Sequence, residues 1–371
     1  MIDAQETGAG SIVKDTKISI AKGIGMLLVV AGHCRGAVTF DPFLPYTFHI
    51  PLFFFITGYL TRDDHMRSPG DFVLRRVRSI LVPYVTYFIG FGIVSSLLLA
   101  VLGIRNDPLP WYTRQGLVNA VLLGQPGHLF VAGWFLLSLF LAIAMFCACA
   151  KIAEKMGLSD WTAVTILLPM TMLCIWYGQM NGKYKGYEII NLLLARNVVG
   201  TFFVYCGYAA RNSRIKIYGH RSAILAGLFL FQFSMTRTFP EKIGFNIELN
   251  SYNSVWMPFL TSFCGIAFVF TLSSMLESVS KKDWLVRIGD NSLHVMAMHV
   301  AVFQLINIIL CLWYGYSFDA ISNDQALVIN WPMTWPAYVF LGLSIPVLII
   351  EIYRRFASAM FPSRRSKVST G

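Results

Sequence analysis

Two ionisable residues stand inside one apolar run, Ile18-Ser-Ile-Ala-Lys-Gly-Ile-Gly-Met-Leu-Leu-Val-Val-Ala-Gly-His33. Lys22 and His33 are eleven residues apart, which returns to the same helix face about 16 Å further along the axis. Holding an ionisable side chain in such a run costs on the order of 2.5 kcal/mol or more, so each is a functional candidate. Lys22 suits either an anion or a snorkelling anchor, and Gly32 beside His33 leaves room for an approaching group. A second cluster follows in Phe72-Val-Leu-Arg75-Arg76-Val-Arg78-Ser-Ile-Leu-Val-Pro83-Tyr84. On a helix Arg75 and Arg78 share a face, and two guanidiniums there form a multidentate clamp suited to phosphate. Ordinary anchoring to anionic lipid is the competing explanation. His49, in Phe48-His-Ile-Pro-Leu-Phe-Phe-Phe-Ile-Thr-Gly-Tyr, is expected near His33, whereas His128, His294 and His299 suit hydrogen-bonded helix interfaces. His294 and His299 are five apart and off-face by about 140°, so they form no metal pair, and no metal site is expected. A phosphate-binding Gly loop and a Gly-x-Ser-x-Gly elbow are both absent, which weighs against ATP-driven transport and serine hydrolysis.

The elements that must carry these groups follow from composition. The chain has 371 residues, 56% hydrophobic and 13% charged, with a mean hydropathy of +0.59. That exceeds what a soluble domain of this size buries. Spanning the hydrocarbon takes about 20 apolar residues, which gives about ten spans, at 18–38, 47–61, 79–103, 131–150, 160–178, 196–211, 222–236, 254–277, 289–314 and 331–353. The expected fold is an all-α polytopic bundle, since lipid leaves no partner for unpaired backbone. With both termini placed in the cytosol, 22 of the 30 Lys and Arg fall inside and eight outside. The net charge of +11 is thus a topology signal and requires no nucleic acid. The seven Cys lie in or beside apolar runs and read as small buried hydrophobes. The first 17 residues are polar and no cleavable leader is expected. The chain divides into a cytosolic segment 1–17, a transmembrane domain 18–353 and a basic tail 354–371.

Several of these motifs, in this order, resemble the family-3 membrane acyltransferases. They are Ile18–His33, the Phe48–Tyr59 run, Arg75-x-x-Arg78 with Leu81-Val-Pro-Tyr, Trp134-Phe-Leu, and Ile288-Gly-Asp-Asn-Ser292-Leu. The Ile-Ala-Lys-Gly-Ile-Gly opening looks most like the fucose 4-O-acetylase branch. Ser19 stands where many members carry Asp, and Lys22 where many carry Arg. The resemblance implies a bacterial inner-membrane O-acyltransferase that moves acetyl from cytosolic acetyl-CoA to a hydroxyl of a surface or exported glycan. Acetyl-CoA is then a co-substrate with no bound cofactor. The partners are a glycan or lipid-linked glycan, membrane lipids and polysaccharide-synthesis proteins. Lys22, Arg75 and Arg78 are expected to hold the nucleotide phosphates. His33 then serves as general base or transient acetyl carrier, with His49 as its orienter or as oxyanion donor. Trp111, Tyr112, Tyr184 and Tyr187 in the outer loops suit sugar stacking or an interfacial belt. Two other classes stand beside this one: a flippase for lipid-linked glycan, and a non-catalytic synthase subunit.

Overall fold

The computed structural model describes residues 15–34, 40, 43–107, 109–184, 191–213, 220–322 and 333–360, and two short paired strands near the N-terminus, Gln5–Thr7 and Ser11–Val13. Among the described residues the chain is almost wholly helical. In chain order the helices are α1 (Thr16–His33), α2 (His49–Tyr59), α3 (Asp63–Arg67), α4 (Pro69–Arg76), α5 (Val82–Leu102), α6 (Arg114–Val118) and α7 (Trp134–Lys155). There follow α8 (Asp160–Tyr184), α9 (Arg196–Asn212), α10 (Arg221–Thr238), α11 (Met257–Leu276), α12 (Asp283–Asp290), α13 (Ser292–Tyr314) and α14 (Trp335–Met360). Each predicted span is occupied over most of its length by one of these helices. Among the described residues, seven helical stretches are long and apolar enough to cross a membrane. The protein is a polytopic helical membrane protein.

Three predicted spans fall short of that standard. Helix α2 has 11 residues, about 16 Å of axis, or half the hydrocarbon thickness. Helices α1 and α10 have 18 residues each, and each carries charged or polar residues along its length. The shortness of α2 has a use, because it lies against other helices and not against lipid. A Cβ on Gly58 of α2 would fall on the Val204 carbonyl of α9, and one on Gly207 of α9 would fall on the Phe55 carbonyl of α2. Glycines at both crossing points let the two backbones touch, the small-residue contact that replaces hydrophobic driving force inside a bilayer.

Burial separates the centre from the rim. In α9, fourteen residues from Arg196 to Ala209 are buried. Helix α5 buries only Tyr84, Phe88 and Gly92. That four-residue spacing makes one narrow inward stripe. Its remaining face, with Val85, Ile89, Ile93 and Leu97, is exposed and apolar, which is the pattern lipid requires. A buried polar pair joins two central helices: Ser138 of α7 donates to Asn197 Oδ1 of α9 at 2.5 Å. Arg196, the first residue of α9, is 1% exposed. It donates to the Glu248 carbonyl at 3.0 Å and lies over the Trp134 ring at 5.4 Å. It is thus a buried clamp between α7, α9 and the 245–252 hairpin.

Candidate functional site

Lys22, Arg75 and Arg78 line one cavity of about 980 Å³. The sequence placed all three on the inner side, and the fold joins them through a local irregularity. Between α4 and α5 the helix widens into a π-turn, Val77–Leu81, an insertion that recurs at functional sites. The chain still runs as one helical stretch, Pro69–Leu102. The wide turn spreads Arg75, Arg76 and Arg78 along the same wall. Arg76 lies over the Phe72 ring at 4.8 Å, and His65 stacks on that ring at 4.8 Å. Arg354 reaches the cavity from α14, although its sequence position suggested only a basic tail.

Lys22 is 7% exposed, held at a tight crossing of α1 with α12. A Cβ on Gly289 would fall on the Ser19 carbonyl, and one on Gly23 would fall on the Leu285 carbonyl. At this crossing the Ser19 hydroxyl donates to Asp290 Oδ1 at 2.6 Å, and Asp290 also lines the cavity. The carboxylate that Ser19 lacks is therefore supplied from α12, one helical turn below Lys22.

Away from the cations the cavity lining becomes apolar. Its outermost lining residues are Phe53 on α2, Phe135 on α7 and Met296 on α13, with Phe53 and Phe135 packed edge to face at 5.9 Å. His49 precedes Phe53 by four residues on α2, and His299 follows Met296 by three on α13. Both histidines therefore lie about one turn, roughly 5 Å, beyond these lining residues. Neither His33 nor His49 is part of the cavity lining.

The histidines form a second group. His33, the last residue of α1, meets His299 with ring centroids 4.9 Å apart at 61°. The room left by Gly32 is filled by Tyr46, whose hydroxyl donates to the Gly32 carbonyl. Tyr46 in turn packs edge-on to His49 at 5.1 Å. His49 Nδ1 lies 2.7 Å from the Pro45 carbonyl; a carbonyl only accepts, so Nδ1 carries the proton and Nε2 offers a lone pair. The Pro45–Thr47 turn is itself fixed from two sides. Gln232 of α10 donates to Thr47 Oγ1 at 2.8 Å, and Ser262 of α11 donates to the Thr47 carbonyl at 2.7 Å.

Several residues escaped sequence reasoning. His294 suited a plain interface; it lines the cavity, and its Nδ1 pairs with the Tyr87 hydroxyl at 2.7 Å. Only its place two residues into α13, at the cationic end, could have pointed to it. Of the loop aromatics, Trp111 packs into the space above Gly92 and donates to Ser96 Oγ at 3.1 Å, so it belongs to α5. Tyr112 is exposed, and Tyr187 lies outside the described residues, as does the side chain of Tyr184.

No curated protein and no solved structure matches the chain. The match that exists is to a family: the acyltransferase domain of family 3 covers residues 15–351. That stretch takes in the histidine group and, Arg354 apart, the residues that line the cationic cavity, and the chain belongs to the family-3 membrane acyltransferases.

Proposed function

We propose that the protein transfers acetyl from cytosolic acetyl-CoA to a hydroxyl of a surface or exported glycan, from the inner membrane of a bacterium. The observation that carries this reading is the polarity of the cavity. Lys22, Arg75, Arg76, Arg78 and Arg354 line one end, and Phe53, Phe135 and Met296 the other. A donor with a polyanionic head and a long thin arm matches that gradient. Guanidiniums bind phosphate oxygens through paired, charge-assisted hydrogen bonds. The arm then follows the α1 axis, where Lys22 and His33 are about 16 Å apart, and brings the thioester to the apolar end of the cavity.

In this scheme His33 removes the proton of the acceptor hydroxyl as its oxygen attacks the acetyl carbon. The C–S bond breaks, and the proton passes to the CoA sulfur. His49 has the second role. Its Nδ1–H is held by Pro45, which leaves Nε2 to accept a hydrogen bond from a neighbouring hydroxyl of the acceptor and so orient it for attack. Attack by His33 itself, with a transient acetyl-imidazole, uses the same positions. The test is the alkali-labile acetate of surface glycans in source cells that lack the chain, carry it, or carry His33→Ala. Loss on deletion, restored by the wild type and not by His33→Ala at equal membrane abundance, is the expected outcome. Unchanged acetate on deletion overturns the reading.

A further inference from the structure

His299 is 0% exposed, and the scheme above gives it nothing to do. Its Nδ1 is 3.0 Å from the Val295 carbonyl. That bond fixes the tautomer with the proton on Nδ1 and a lone pair on Nε2. Among the described residues no donor reaches that Nε2. A buried acceptor left unmet is unfavourable, and its persistence asks for a use. Around the ring, Phe303 closes one side at 6.0 Å, and the His33 ring stands at 4.9 Å. An N–H···N bond of about 2.9 Å between two imidazoles puts their centroids about 5 Å apart. The two rings are thus already at about the separation such a bond requires.

We propose that His299 is the positioning residue for His33, its Nε2 accepting an N–H of the His33 imidazolium while the other His33 nitrogen faces the acceptor hydroxyl. This rests on the acyl-transfer reading above. The acceptor proton passes to His33 as the O–C bond forms, and leaves for the CoA sulfur as the C–S bond breaks. His299 keeps its own Nδ1 proton throughout. Its contribution is to stabilise the charged ring and to hold one tautomer of the neutral ring.

A packing role and a positioning role separate on substitution. Phe fills the same space without an acceptor, whereas Gln places its Oε1 near the Nε2 position. We compare wild type, His299→Phe and His299→Gln, full length in nanodiscs, by thermal unfolding, acetyl-CoA binding and ¹⁵N-histidine NMR of His33. Glycan acetate in complemented cells is the fourth readout. The expected result is unchanged unfolding temperature and acetyl-CoA affinity in both variants. Transfer falls at least about 10²-fold in His299→Phe and recovers largely in His299→Gln. The His33 tautomer is single in wild type and His299→Gln but mixed in His299→Phe. Full transfer by His299→Phe, or an equal loss in both variants, overturns the proposal. If wild type transfers no acetyl, the acyl-transfer reading fails, and the NMR result still decides whether His299 sets the His33 tautomer.

Discussion

Arg75 and Arg78 are exposed basic side chains, yet they differ from others of that description in what they face. Both line the large cavity. Arg287, also exposed, lies outside that cavity and reaches Glu351 at 3.7 Å instead. A surface pair of that kind contributes little to stability. A guanidinium–phosphate contact is stronger, at about 1.5–3 kcal/mol for a hydrogen bond to a charged group. Arg75→Ala and Arg78→Ala are therefore each expected to weaken acetyl-CoA binding by about tenfold or more, and Arg287→Ala by less than about twofold. Equilibrium binding to the purified protein reads all three. Equal small losses would return Arg75 and Arg78 to the role of lipid anchors. Much of this site was visible at the level of single residues: Lys22, Arg75 and Arg78 meet in one cavity. The partners of the histidines were not. Whether His33 faces Tyr46 or His299 depends on how α1 packs on the 45–47 turn and on α13, and residue spacing within one helix carries no such information.

At the scale of elements, hydrophobic length located the helices well, because lipid tolerates no other backbone there. It could not pair them. Pairing rests on close crossings, and these come from single glycines that leave no periodic signal. Gly289 of α12 is such a point, since a Cβ there would fall on the Ser19 carbonyl. Gly289→Ala should push α12 off α1 and part Ser19 from Asp290. The expected cost is about 1–3 kcal/mol, as for other overpacked contacts. The cavity wall would be disturbed with it. Gly90 of α5 and Gly227 of α10 have nothing within 4 Å of an added Cβ. In those helices Ala should be neutral or stabilising by about 1 kcal/mol. Thermal unfolding and acetyl-CoA binding of the three variants check this. A Gly289→Ala protein as stable and as tight-binding as Gly90→Ala would mean that the α1–α12 crossing does not shape the site. The π-turn was equally hidden. Arg75-x-x-Arg78 reads as one face of a regular helix, whereas the widened turn also brings Arg76 to the wall.

For the whole molecule, the two groups lie at different depths along the same helices. Lys22 is six residues into α1 and His33 is its last residue; the cavity follows α2 from Leu60 up to Phe53 and stops a turn before His49. On α13 it starts at Ser292 and ends at Met296, a turn before His299. Every helix that contributes to both groups therefore places its cationic or polar portion toward one end and its histidine toward the other. The positive-inside bias assigns the cationic end to the cytosol. An enzyme that met donor and acceptor on one face would have no use for a base three helical turns from its anion site. Sealed vesicles of opposite orientation make this measurable. Acetyl-CoA supplied to the cytosolic face should support transfer, and acetyl-CoA supplied to the opposite face should not. An acceptor glycan that cannot cross the bilayer should be acetylated only when it is on that opposite face. His33→Ala should abolish transfer in both orientations, while acetyl-CoA binding from the cytosolic face survives, because His33 is not part of the cavity lining. Transfer with donor and acceptor confined to one side would place both substrates at the cationic end and remove the outer histidines from the chemistry.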